Sequence, residues 1–149
     1  MKQSVEIRAL NEVSKICLVC RLDMDMQVER AAAQLRGLEG QRDSEIKALD
    51  AVQEGWLQSV SARSFQLMTA AFWSAEILRA EAEVERLDDE IQRAVTVRQG
   101  LSKVQTAATA RCAAVDDLLQ SARHRAQRKH DETVLEAHIG RSFTGWRHA

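Results

Sequence analysis

The chain of 149 residues has no proline and no tyrosine, only 4% of its residues are aromatic, and it has six glycines. Each shortage excludes something. Sheets draw on β-branched and aromatic residues to cover their pleated faces, and tight turns recruit proline and glycine. So few of these residues leave little material for strands and hairpins. The three cysteines are an odd number, which does not close into a disulfide framework. No surplus of positive charge is present either. The formal net charge of −1 is a poor match for phosphate backbones, which excludes nucleic acid as the expected partner.

Long apolar runs are also missing. The longest uncharged stretch, Ser64 to Ala75, has twelve residues and is too short to span a bilayer. The opening MKQSVEIRALNEV is charged from its second residue and has no apolar core of a signal peptide. The expectation is a cytosolic protein, at most peripheral to a membrane, with reduced thiols. No glycine-rich phosphate loop, nucleophile elbow or apolar-set acid pair is present, so the chain is expected not to be an enzyme, with no cofactor and no small-molecule substrate.

What the sequence does have is helix formers and a seven-residue rhythm. Ala, Leu, Glu, Gln and Arg dominate, all strong helix formers, and 29% of residues are charged. Val84, Leu87, Ile91, Ala94, Arg98, Leu101, Gln105, Ala108, Cys112, Val115, Leu119, Ala122 and Ala126 are separated by alternating steps of three and four. Such a repeat makes a narrow apolar seam facing one partner helix, as a left-handed coiled coil requires. In the first half, Val28, Ala31, Leu35, Leu38, Arg42, Glu45, Leu49, Val52 and Trp56 keep one phase, and Leu10, Val13, Cys17, Cys20 and Met24 keep another. The change of phase predicts a stutter near Met24. The charged Arg42 and Glu45 interrupt the seam and are expected to select register.

Gly55 and the polar residues Ser59, Ser61, Arg63 and Ser64 predict a break within 58–75. The expected architecture is all-α, a two-helix antiparallel coiled-coil hairpin over residues 1–140. Arm one covers about 3–60, the tip about 58–75 and arm two about 76–139, with a flexible tail over 140–149 that holds Gly140 and Gly145. An arm near 60 residues would reach roughly 90 Å. The competing architecture is a longer bent helix that dimerises.

Charge and aromatics single out two clusters. Net charge is −2 over residues 1–60, −2 over 61–100 and +3 over 101–149. Arg123, Arg125, Arg128 and Lys129 form a basic run with His124 and His130, suited either to the negative end of a helix dipole or to an acidic partner. Phe65, Leu67, Met68, Phe72, Trp73, Ile77 and Leu78 gather at the expected tip, where a two-helix structure offers few neighbours. Phe65, Phe72 and Trp73 are the candidate anchors there for a partner groove. Cys17-Leu-Val-Cys20 is a CxxC, and in a hairpin turning near residue 66 Cys112 is expected to lie across from Cys20, with the three thiols in one layer. Core packing is the simpler reading, because zinc needs four ligands and no fourth is placed. His124, His130, His138 and His148 lack the spacing of helical metal pairs and read as solvated.

A proline-free chain of this length, with two long heptad arms and a basic C-terminal stretch, resembles the FliJ/YscO family of central-stalk proteins in flagellar and virulence type III export. That resemblance implies that the helix ends enter the pore of a hexameric export ATPase while the hairpin projects toward the export gate. It also implies binding of the chaperones of exported substrates. Arg123, Arg125, Arg128 and Lys129 would then meet the ATPase, and Phe65, Phe72 and Trp73 the gate or a chaperone. The alternatives are a homodimeric structural or adaptor coiled coil, and a metal or redox sensor built on the three cysteines.

Overall fold

The computed structural model of the chain describes the backbone of residues 2–64 and 66–145 and the side chains of 4–64 and 66–141. Two helices account for nearly all of it: α1, Lys2–Ser61, and α2, Leu67–Gly145. They pack against each other as an all-α antiparallel hairpin. Among the described residues no helix is long and apolar enough to cross a membrane.

The break between the helices occupies residues 62–66. Local hydrogen bonds explain its position. At the end of α1 the Ser59 and Ser61 hydroxyls donate back to the carbonyls of Trp56 and Leu57, at 2.8 and 2.6 Å. These bonds engage carbonyls close to the helix end, where intrahelical partners run out. At the start of α2 the Gln66 carbonyl accepts from the amides of Thr69 and Ala70, both at 3.1 Å. Gln66 therefore sits at the N-cap. Gly55, expected near the turn, is an interior residue of α1. At the other end α2 runs through Gly140 to Gly145, past the expected end of the arm.

The chain divides into two compact units, one of residues 25–103 and one of 1–24 with 104–149. In the 25–103 unit, the buried and half-buried positions of α1 include Val28, Ala31, Leu35, Leu38, Arg42, Glu45, Leu49, Val52, Trp56 and Ser59. Those of α2 include Ala70, Trp73, Ile77, Ala80, Val84, Leu87, Ile91 and Ala94. Leu87 is the best buried large side chain, at 2% exposure. The helices run in opposite directions: Ala31 and Leu38 line a groove with Glu90 and Ala94, and Glu45 and Val52 line another with Ala80 and Glu76. Arg42 enters the seam and places Nε 3.4 Å from Asp88 Oδ1. That nitrogen is buried and makes no hydrogen bond, so the contact with Asp88 is one of charge alone.

In the second unit Glu6, Asn11, Ser14 and Cys17 of α1 meet Arg125, Arg123, Asp116 and Cys112 of α2 in turn. The seam residues of α1 are Ile7, Leu10, Ser14, Cys17, Arg21 and Met24, while Val13 and Cys20 are exposed. This corrects the expected stutter. Counting back from Val28 in steps of four and three gives Met24, Arg21, Cys17, Ser14, Leu10 and Ile7, so a single phase runs the length of α1. Residues 16–20 are apolar on all sides, so sequence periodicity could not fix the phase there. Arginine tolerates a seam position because its aliphatic stem packs while its head reaches water.

Candidate functional site

Three surfaces carry the residues with functional character. The first is the start of α2, in the 25–103 unit. Adjacent helical residues point about 100° apart, and this separates Phe72 from Trp73. Trp73 turns into the seam and lies on Gly55, where a Cβ would meet its Cη2 and Cζ2 atoms at 3.1 Å. Glycine is therefore what admits the indole. Phe72 turns outward at 57% exposure and meets the Trp73 ring edge-on, with centroids 5.4 Å apart. Ile77 is also a half-buried seam residue. Met68, Ala71, Phe72, Ala75, Leu78 and Ala82 are exposed and share the face away from α1. Two-helix coiled coils ordinarily keep that face polar, and farther along α2 it becomes Glu85, Arg86 and Asp89. Phe65, Trp146 and the side chain of Phe143 lie outside the described residues.

The second surface is the C-terminal part of α2. Arg123 donates to Asn11 Oδ1 at 2.9 Å, and Arg125 pairs with Glu6 at 3.1 Å, so both clasp α1. Arg128 and Lys129 lie beyond the last half-buried residue, Ala126. From Gln127 to Arg141 every residue is exposed. This stretch of α2 also holds Val134, Leu135 and Ile139, three large apolar side chains more than half exposed. Sequence reasoning passed over them because they fall outside the seam phase. The signal was present: an apolar group at Val134, Leu135 and Ile139 that no heptad position explains.

The third is the thiol group of the second unit. Cys112 is buried, Cys17 is half-buried and Cys20 is exposed, and all three are free. Burial pushes the Cys112 thiol above its ordinary value of 9.0, and the neighbouring Cys17 thiol raises it further. Cys17 and Cys112 thus face each other, which corrects the expected pairing with Cys20: the seam phase of α1 takes Cys17 and Arg21 and leaves Cys20 exposed, so the three thiols share no layer. Among the described residues no three metal-ligating side chains converge. On the outer face of α1, Ile16, Val19 and Leu22 stand exposed three residues apart.

Charge elsewhere is arranged along the helix surfaces. Arg86 binds both Glu83 and Glu90, which holds the Glu83 carboxyl below the usual range. Such exposed pairs at three- and four-residue spacing support helices only weakly and need no functional explanation. Comparison with protein-family models, with curated proteins and with solved structures finds no match for this chain.

Proposed function

We propose that the chain is a central-stalk component of a type III export apparatus, binding a hexameric export ATPase and linking it to the export gate or to substrate chaperones. The observation that carries this reading is the stretch of α2 from Gln127 to Arg141, every residue of which is exposed among the described residues and which presents Arg128 and Lys129. A single helix that carries Arg128 and Lys129 at its base and Asp131, Glu132 and Glu136 beyond them is narrow enough to enter a ring and to contact its subunits unequally. The hairpin architecture and the resemblance to the FliJ/YscO stalks point the same way. The apolar outer face at Met68, Phe72 and Leu78 supplies a second docking surface, for the gate or a chaperone.

In this reading the chain carries out no chemistry and works in the cytoplasm. An asymmetric rod held in a ring favours some subunit conformations over others, and ATP turnover is coupled to its contacts through those differences in free energy. Arg128 and Lys129 act as the ring contacts, while Arg123 and Arg125 keep α2 fastened to α1 beneath them.

The test is ATP hydrolysis by the purified export ATPase with and without the chain. Stimulation by the unaltered chain, lost in an Arg128→Glu, Lys129→Glu double variant of unchanged helix content, is the expected result. An ATPase that neither binds nor responds to the chain contradicts it. One observation favours a second reading, an adaptor that works as a homodimer: the outward Ile16, Val19 and Leu22 on α1. A solution mass of 16.7 kDa fits the stalk, and twice that mass fits the adaptor.

A further inference from the structure

We propose that Cys17 and Cys112 form a redox couple that reversibly crosslinks the two helices, with a low-molecular-weight disulfide as the oxidant. The inference is independent of the stalk reading and concerns the 1–24 and 104–149 unit alone.

The geometry begins with register. Ser14 Oγ donates to Asp116 Oδ1 at 2.7 Å, which fixes the turns of α1 and α2 that hold the two thiols opposite each other. Both cysteines occupy the seam: Cys112 is buried and Cys17 half-buried. Their immediate seam neighbours include Ser14 and Ala108, small residues that let the helices approach. Helices packed about 8–10 Å apart, with Cα atoms on cylinders of about 2.3 Å radius, bring directly facing Cα atoms to roughly 3.5–5.5 Å. Disulfides need about 4.4–6.8 Å, so the two ranges overlap. The two thiols are close enough for Cys17 to help burial hold the Cys112 thiol above its ordinary value.

The chemistry follows from access. Cys17 is the more exposed member of the pair and takes the first step. Its thiolate attacks one sulfur of the oxidant RSSR, the S–S bond breaks, and RS⁻ leaves and picks up a proton. The Cys112 thiolate then attacks Cys17 Sγ in the mixed disulfide and expels the second RS⁻. The net change is two protein thiols and RSSR to one protein disulfide and two RSH. Cys112 is raised in pKa by burial, so the second step accelerates with pH. Cys20 is exposed and can form a mixed disulfide, but it does not face Cys112. The CxxC pair is a poor alternative: neighbours three apart on a helix hold their Cβ atoms about 5–6 Å apart, whereas a disulfide needs about 3.5–4.5 Å. In a reducing compartment such a link is transient, which is how intracellular disulfides usually serve as sensors. When formed it would hold these turns of α1 and α2 together and restrain them from sliding or parting.

The experiment incubates the full chain under native conditions with oxidised glutathione, follows helix content by circular dichroism and maps the products after trypsin. Cleavage at Lys15, Arg21, Arg111 and Arg123 separates residues 16–21, which hold Cys17 and Cys20, from 112–123, which hold Cys112. The expected product is 16–21 joined to 112–123 within one chain, migrating faster on a non-reducing gel and reversed by dithiothreitol. A Cys20→Ser chain should give the same link as its main product, at a rate that rises with pH. A Cys112→Ser chain should lose it. Should that variant fail to fold, the map of the unaltered chain together with Cys20→Ser still decides. The proposal is overturned by a link confined to 16–21, by chain-to-chain dimers through Cys20, by the absence of any link, or by a link that forms only once the helices have melted.

Discussion

The two compact units use one seven-residue repeat and fill it differently. In the 25–103 unit the seam holds Leu35, Leu38, Leu49, Val52 and Trp56 on α1 and Trp73, Ile77, Val84, Leu87 and Ile91 on α2. In the other unit it holds Ile7, Leu10, Ser14, Cys17, Arg21 and Met24 on one side and Gln105, Ala108, Cys112, Val115, Leu119, Ala122 and Ala126 on the other. The first is held by removal of large apolar groups from water, at about 25 cal/mol per Å². The second has fewer large apolar groups and supplements them with polar clasps at Ser14–Asp116, Asn11–Arg123 and Glu6–Arg125. Exposed polar contacts of this kind contribute only about 0.2–1 kcal/mol each. The comparison teaches that an even heptad pattern does not imply even stability. It also places the more loosely held part in the unit that carries Arg128, Lys129 and the facing thiols.

Truncation of the two seams should give the largest effect. Leu87→Ala is expected to cost about 3 kcal/mol in chemical denaturation, because its site is fully enclosed. Leu119→Ala, among Val115, Ala122 and Cys112, should cost less, about 2 kcal/mol. Equal losses, or a larger one at Leu119, would break the comparison.

Gly55→Ala sharpens it at the packed end. Alanine gains about 1 kcal/mol of helix propensity over glycine, but its Cβ would stand 3.1 Å from the Trp73 ring. The indole must give way, so no net gain is expected. Gly100→Ala, with open space at the Cβ, should keep the gain. Thermal melts of the two variants side by side read the difference.

Removing a clasp is a smaller perturbation. Arg125 and Glu6 are each about half exposed, at 58% and 51% of their side chains, so Arg125→Ala should cost about 0.5 kcal/mol or less. The change should appear as faster amide exchange in residues 4–14 and leave 28–59 unaffected. Raised salt should reproduce it in the unaltered chain.

The smallest effect concerns pH. Burial raises Cys112 above its ordinary 9.0, so the folded chain favours the neutral thiol. Its contribution is fully present below about pH 9 and is lost as pH rises through the folded value. The stability of a Cys112→Ala chain should fall less over that range, as denaturation midpoints at successive pH values would record.

Much of the fold was legible because the second arm is regular. From Val84 to Ala126 every expected seam residue is buried or half-buried except Arg98, whose charge keeps it in water. The first arm was harder where Ile16, Cys17, Leu18, Val19 and Cys20 are apolar in succession, leaving two phases with equal claims. Only continuity with Val28 and contact with α2 selects Ser14 and Arg21 over Val13 and Cys20. The site was less legible than the seam. The bonds from Arg123 and Arg125 to α1 join residues more than a hundred positions apart, which no local pattern encodes. Phe72 and Trp73 are neighbours of similar chemistry; the seam phase counted back from Val84 selects Trp73, and Gly55 on the opposite helix makes the room for it, a fit no local pattern encodes.

Residue-resolved hydrogen exchange on the native chain tests the central claim most directly. Exchange should be slowest across 28–59 and 70–101, faster across 4–24 and 104–126, and fastest within α2 from 127 to 141. Uniform protection of both units, or strong protection of residues 127–141 in the isolated chain, would contradict it.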